Sequence, residues 1–512
     1  MRFRCLVPLL ALLAIAGGAK PAPVRGDGGQ LELKVIDKET RQPIACRIHL
    51  RTQAGKPRLV KSQPYWHDHF VFDGQITLKL PRGFYEFEIE HGPEYVNAVG
   101  HFDLQHGASD SKTVELRRGV DMAKAGWWSG DFDAHRPTKD LELLMQADDL
   151  HVVVSEALPD KKNPGAAAKS FAAGPVLFNE NRVYDLAGIR DDREGGVLQL
   201  FRLAEPFAPS GARYRGAGEL RQLLGLESSP DVWIDVPHPS AWDLPLWLAA
   251  GGIDSFELAN RQIGRPPAKG VELPGKPRDP QRFQGPQALG LWSQFVYYQI
   301  LNAGFRVPPA AGSGTGEALN PLGYNRVYVY VGEEFSYDAW WQGFRAGKVV
   351  VTNGPLLQPI VAGRRPGHVF TGAAGEELDF DVNLTLTTRD PISYLEIIKN
   401  GNVERSVRIE DYKKNRGQLP ALKFDQSGWF LVRAVTDVGE SFRFGSTAPY
   451  YVEIGDEQPQ RISRSAVQFF LTWLEERITM LAKSKKGPPV DLRPYEAARI
   501  FWQQRLAAAN AD

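Results

Sequence analysis

Cysteine is nearly absent from this chain, with only Cys5 and Cys46 among 512 residues. Two thiols give at most one bridge, and none once Cys5 is assigned to a leader, so a disulfide-stapled scaffold is excluded. Cys46 then reads as a small buried residue. Charge of either sign is not in excess, since Lys+Arg and Asp+Glu both number 61. Overall charge therefore gives no support for nucleic acid or an anionic membrane as the partner, and a small-molecule or glycan-type ligand fits better. Long apolar runs are missing too. The run from Cys5 to Ala16 is too short to span a bilayer, and with Arg2 and Arg4 before it residues 1–25 read as a secretory leader. A secreted or periplasmic protein is expected, with no membrane span once the leader is removed. Cys5 sits at the start of the apolar run rather than after it, which argues against lipid attachment. There is no internal repeat. The Gly-rich stretch at 312–316 lacks the Lys-Ser/Thr ending of a P-loop, so it reads as a loop permitting close backbone approach.

What the chain does have is the composition of a folded protein, 43% hydrophobic and 24% charged, over a length that holds about three domains. From 30 to 118 short runs alternate with period two (Leu31–Ile36, Gln75–Leu80, Tyr85–Ile89), predicting a β-sandwich. From 120 to 355 strands alternate with helices. Asp131 to Ala134 reads as a strand, Thr138 to Ala147 as a helix capped by Thr138, and Leu150 to Val154 as a strand. Further strands are expected at 197–201, 232–236, 253–258 and 327–331, with a helix at 286–302. Such alternation argues for a parallel α/β sheet or barrel, with its site where the strands end. Alternating strands return over 356–456 as a second β-sandwich, and 460–512 reads as a helical tail.

The strongest chemical signal is Gly126-Trp-Trp-Ser-Gly-Asp-Phe-Asp-Ala-His-Arg-Pro137. On a strand, side chains two apart project the same way, so Asp131, Asp133 and His135 converge while Phe132 and Ala134 pack. Two carboxylates and an imidazole make half a shell for a divalent cation, and Arg136 beside them is placed to meet an anionic or carbonyl oxygen. The same segment also fits a loop with a structural Asp network. His238, between prolines at the end of the apolar strand 232–236, is the natural fourth ligand. Asp192 and Glu194 offer ligands or a general base, and Arg193 a clamp for an anion, although the run 190–196 equally suits a solvated turn. Glu257 and Asn260 end the next strand, and Asn325 and Arg326 flank another. These four are candidates to line a substrate pocket, or ordinary capping residues. His67 and His69, in Trp66-His-Asp-His69, look like a metal pair with no third partner in sight.

Three resemblances follow from these segments. Ile36–Ile44 with Pro81–Tyr85 is similar to the transthyretin-like modules attached to many secreted enzymes. Gly130-Asp-Phe-Asp-Ala-His135 resembles the opening motif of the PHP (polymerase and histidinol phosphatase) superfamily, and His238-Pro239 its His-Pro motif. Gly252–Asn260 and Ala346–Pro355 resemble segments of the CehA/McbA-type metallohydrolase branch. The resemblance covers about residues 120 to 360. It implies a distorted (β/α)7 barrel binding two or three metal ions that activate water. Two departures stand out: Asp133 replaces the first histidine of the family's His-x-His pair, and Gly312–Gly316 replaces its late Asp-x-His. A carboxylate at 133 shifts preference toward harder ions such as Mn²⁺ or Mg²⁺.

Two readings follow. In the first, Asp131, Asp133, His135 and His238 hold one divalent ion (Mn, Mg, Zn or Fe), and metal-bound water attacks an ester, carbamate or phosphoester. In the second, the barrel has lost its metals and the chain is a catalytically inactive module binding a glycan or a protein.

Overall fold

The computed structural model describes residues 28–156, 174–191, 195–204, 231–265, 272–455, 460–483 and 491–512. The expected leader at 1–25 and the candidates Asp192, Arg193 and Glu194 lie outside the described residues. The fold is mixed α/β and rich in strands, arranged in several sheets.

Two sheets with one core between them form the N-terminal module. One pairs Gly28–Asp37 with Gln75–Pro81 and Ser109–Arg118; the other joins Tyr65–Trp66, His69–Phe72, Cys46–Thr52, Gly83–Glu90 and Ala98–Leu104. Their period-two faces meet in a cluster that includes Leu33, Val35, Ile48, Leu50, Phe70, Phe87 and the fully buried Cys46.

In the central region Trp127–Asp131, Val152–Val154, Leu198–Phe201, Trp233–Val236 and Ser255–Ala259 are buried along their whole length, which is why they read as largely apolar runs. Trp127–Asp131 lies parallel to Val152–Val154 and antiparallel to Arg326–Tyr330. A second sheet orders Ile189–Asp191, Leu198–Phe201, Trp233–Val236, Ser255–Ala259 and Pro309–Ala311. The two sheets meet along a seam. Phe132 N donates to Ala311 O (3.0 Å), Gly314 N to Asp133 O (2.8 Å) and His135 N to Thr315 O (2.7 Å).

That seam corrects the expected strand at 131–134. The ladder ends at Asp131, because residues 132–135 turn to bond the 311–315 loop instead of continuing beside Val152–Val154. Phe132 does pack as expected, against Phe201, Trp340, Trp341 and Phe344. The helix Thr138–Ala147 has the expected bounds, but Thr138 does not cap it. Pro137 holds the cap position, and no side chain caps the helix.

The boundary drawn at 355/356 separates sequence patterns rather than sheets. Arg326–Tyr330 pairs with Val349–Thr352, which pairs with Phe444–Thr447 and so with Gly428–Val435, making one 12-stranded sheet. The helices Arg464–Lys483 and Arg493–Ala507 bury Phe470, Trp473 and Trp502 in the cluster that also holds the central strands. Trp502 Nε1 donates to Pro245 O, and Arg477 and Tyr495 both bond Asp243. Among the described residues, no helix is long and apolar enough to cross a membrane.

Candidate functional site

Asp131 is fully buried, and both its oxygens are taken by backbone. Oδ1 accepts from Asp133 N and Ser313 N, each at 3.0 Å, and Oδ2 accepts from Gly323 N at 2.8 Å. Burial pushes its pKa up to about 6 against the pull of these bonds. The side chain thus pins two loops, 312–316 and 320–325, to the end of the first central strand.

Asp133 meets a cation from its own chain. Arg261 Nε donates to Oδ2 (2.7 Å) and Nη2 to Oδ1 (2.6 Å), while His135 Nε2 also bonds Oδ1 (2.6 Å). A forked guanidinium matches a carboxylate in this bidentate way, and burial makes the contact strong only because it is paired. Burial alone would raise the Asp133 pKa, but Arg261 and His135 hold it far below the carboxylate range. The network runs outward: His135 Nδ1 lies 3.1 Å from Glu156, Arg261 also bonds Glu317, and Arg190 Nη1 reaches Glu317 at 3.1 Å. Asp133, Glu156 and Glu317 are thus met by Arg261, His135 and Arg190. Burial would lower the His135 pKa, but its bonds to Asp133 and Glu156 reverse this and raise it to about 9. The ring is therefore an imidazolium at neutral pH, donating from both nitrogens. Its 2.8 Å approach to Arg261 Nη2 is then a like-charge contact, tolerated because both groups converge on one oxygen.

The four side chains named as metal ligands do not form a ligand set. Asp131 accepts from three amides, Asp133 is held by a guanidinium, and His135 lies between two carboxylates. Among the described residues, the group whose His and carboxylate ligand atoms all lie within 4.8 Å of one another is elsewhere. The donor chemistry at 131–135 does not fit the metal centre that the resemblance implies.

His238 is 3% exposed; its Nδ1 has no hydrogen-bond partner, and burial with Arg261 and Arg190 nearby lowers its pKa to about 4. Glu257 is fully buried with neither oxygen bonded. Burial, with Asp235 and Asp133 close by, raises its pKa far above the usual range. Gly312 packs so tightly here that a Cβ would collide with the Glu257 carboxylate and Asp133. Asn260 bonds Glu257 O, Ser293 Oγ and Gln262 N, which makes it a strut, and Asn325 ties Asn260 O to Gly312 O. Arg326 bonds Gly323 O and Asp148 O, away from Asp133. Arg136, expected to face substrate, instead donates to Tyr65 O (2.9 Å) and lies over the Trp66 ring, docking the N-terminal module.

Sequence reasoning missed Arg261, Asp235 and Gln199. Arg261 directly follows the Glu257–Asn260 segment, yet nothing local shows that it bridges to residue 133. Asp235 is raised to about 7 by burial, its Oδ1 accepts from Ser255, and its Oδ2 is unpartnered; Gln199 Nε2 donates to Asp133 at 3.3 Å.

A cleft lies elsewhere. About 700 Å³ in volume, it opens where the N-terminal module, the central region and the C-terminal strands meet. Arg47, Arg51, Arg265, Arg326, Arg389 and Arg443 line it, against Glu88, Glu90, Asp148 and Asp390. Arg389 bonds Tyr95 O and Asn97, and among the described residues no carboxylate pairs with it. Gly323, whose amide Asp131 holds, belongs to the cleft wall.

In the N-terminal module, His49, Asp68 and His69 form a group that could hold a metal ion. His69 belongs to the motif read from sequence, and the third partner missing there is His49, from the neighbouring strand.

Part of the chain is similar to the solved structure of the Bacillus anthracis TIE protein, with 17% identity and a TM-score of 0.15. The likeness covers 20% of this chain and 18% of that one, so the chain spans less than a fifth of that protein. No family model and no curated protein matches the chain.

Proposed function

We propose that this chain is an exported relative of the PHP metallohydrolases that binds a ligand without hydrolysing it. The reading takes the two central sheets and their seam as one distorted (β/α)7 barrel. The observation that carries it is Arg261, whose guanidinium takes both oxygens of Asp133, the residue standing where the family places a metal-binding histidine. An internal cation at that carboxylate supplies the counter-charge a metal would bring, but no water for it to activate. The ligand is a small molecule or glycan carrying anionic groups. The arginine-lined cleft sets six arginines against four carboxylates, a net positive lining in which Arg47, Arg265, Arg326 and Arg443 already pair with those carboxylates and Arg389 pairs with none among the described residues.

The test pairs turnover with binding on the full chain. Chromogenic esters, carbamates and phosphoesters with added Mn²⁺ should give no turnover. Calorimetry with uronate-containing and sulfated oligosaccharides should give binding that neutral oligosaccharides do not. Turnover abolished by Asp133→Asn, or bound metal lost in Asp133→Asn but kept in His69→Ala, would overturn the reading.

A second reading, a hydrolase with one divalent ion, is favoured by one observation. Both oxygens of Glu257, Asp235 Oδ2, Asn325 Oδ1 and His238 Nδ1 are buried in the central region without a partner. Unpartnered buried acceptors are the signature of a missing cation or water. The Asp133→Asn metal measurement separates the two readings.

A further inference from the structure

The N-terminal module holds a second constellation that the proposed ligand binding does not use. Cys46–Thr52 and His69–Phe72 are antiparallel with Cys46 opposite Phe72 and Ile48 opposite Phe70, a register that sets His49 against His69. Trp66 pairs with His69, so His67 and Asp68 form the turn between them, with His67 at φ 47° in the left-handed region. The turn carries the Asp68 carboxylate between the two rings. His49 Nδ1 lies 3.1 Å from Oδ2, His69 Nδ1 3.1 Å from Oδ1, and His67 Nδ1 3.8 Å from Oδ1.

Two features separate this cluster from an ordinary hydrogen-bonded set. His49 is 2% exposed; its Nδ1 faces the Asp68 carboxylate, but its Nε2 is buried with no hydrogen-bond partner. Burying such a polar group unpaired is costly, and a ligand removes the cost. The ligand atoms of the three residues also lie within 4.8 Å of one another, at the mouth of a half-exposed turn where an ion can enter. A tetrahedral centre with bonds of about 2.0–2.1 Å needs donors roughly 3.3 Å apart, a contraction that side-chain rotation supplies.

We propose that His49, Asp68 and His69 bind one divalent transition cation, Zn²⁺ by preference, with His67 closing the fourth position. Two or three imidazoles with one carboxylate suit Zn²⁺, whereas Mg²⁺ and Ca²⁺ require oxygen-rich shells. Arg51, whose Nη2 is 3.3 Å from Asp68 Oδ2 and whose side chain is 37% exposed, is the cation the metal displaces. The site has a consequence for assembly. The same turn carries Trp66, whose Nε1 donates to Ala318 O (2.8 Å), and Tyr65, whose carbonyl accepts from Arg136. Ala318 adjoins Glu317 of the central ion network. The ion therefore fixes the hairpin that seats the N-terminal module on the rim of the central region.

The test uses the full chain without a histidine tag, stripped with chelator and titrated with Zn²⁺ by calorimetry, with Co²⁺ substitution read by visible absorption. About one Zn²⁺ per chain is expected, with ligand-field bands of a tetrahedral or five-coordinate centre on Co²⁺. His67→Ala, in the exposed turn, should weaken binding about tenfold, and His49→Gln and His69→Gln by more than about a hundredfold. Asp133→Asn should leave the stoichiometry unchanged. No binding by the folded wild-type chain overturns the proposal, as does full Zn²⁺ affinity in both His67→Ala and His69→Gln. Zn²⁺ should also slow proteolysis between residues 60 and 70; unchanged cleavage with one equivalent bound overturns the docking role.

Discussion

The guanidinium of Arg261 takes both carboxylate oxygens of Asp133 across 128 residues of chain, in a setting where Asp133 is wholly buried. Removing one partner of such a pair costs far more than replacing both, because the survivor is left charged in a poor solvent. Arg261→Gln should destabilise the chain by about 3–5 kcal/mol in urea unfolding, while Arg261→Met combined with Asp133→Leu should cost much less. An Arg261→Gln loss below about 1 kcal/mol would show that the pair is not the internal counter-charge described here.

His135 gives the network a pH dependence of definite sign. Its folded pKa of about 9 stands above the ordinary 6.5, so its contribution is complete below about pH 6.5 and is lost as pH rises through 9. The loss amounts to roughly 3 kcal/mol. Asp133, depressed instead, contributes above about pH 4 and loses that contribution on acidification. Urea midpoints should therefore be highest between about pH 4 and 6.5, and His135→Gln should flatten the alkaline limb. An alkaline limb unchanged in that variant would remove His135 from the account.

Ligand binding in the cleft should depend on Arg389, which pairs with no carboxylate among the described residues. Arg389→Ala is expected to weaken an anionic oligosaccharide about tenfold and to reduce the salt dependence of binding. Arg265→Ala should do less directly, because Glu88 and Glu90 already occupy its guanidinium. Calorimetry at two ionic strengths checks both.

The contact between module and rim rests on Trp66 and Arg136. Trp66→Ala removes the bond to Ala318 O and the ring under the Arg136 guanidinium. Hydrogen exchange at 65–69 and proteolysis near 119–126 should both rise, by an opening free energy of about 1–2 kcal/mol. Protection unchanged in that variant would place the docking elsewhere.

Much of the architecture was legible because strands buried on both faces are written as plain apolar runs. Val152–Val154, Trp233–Val236 and Ser255–Ala259 fall within a residue or two of where the sequence puts them. The chemistry was legible in residue type but not in partnership. Asp133 and His135 do meet, yet not as neighbours on a strand, since the chain leaves the ladder after Asp131. What decides their role is Arg261, a contact that no local pattern encodes. His49 was hidden for the same reason: its partner depends on a cross-strand register, and alternation alone does not specify which residue faces which. Glu257 was picked out for its position at a strand end, but its complete burial, which sets its chemistry, follows only from the close approach of Gly312.

The sheet that runs from Trp127–Asp131 through Val349–Thr352 into Phe444–Thr447 has a consequence for how the molecule yields. A cut after residue 355 would strip Val349–Thr352 of its neighbour and leave a bare row of amides and carbonyls, an invitation to self-association. The C-terminal strands therefore act as the hem of the central sheet. Heat or mechanical load that frays one region should pull on the other through a shared ladder of hydrogen bonds, rather than releasing two independent beads on a string.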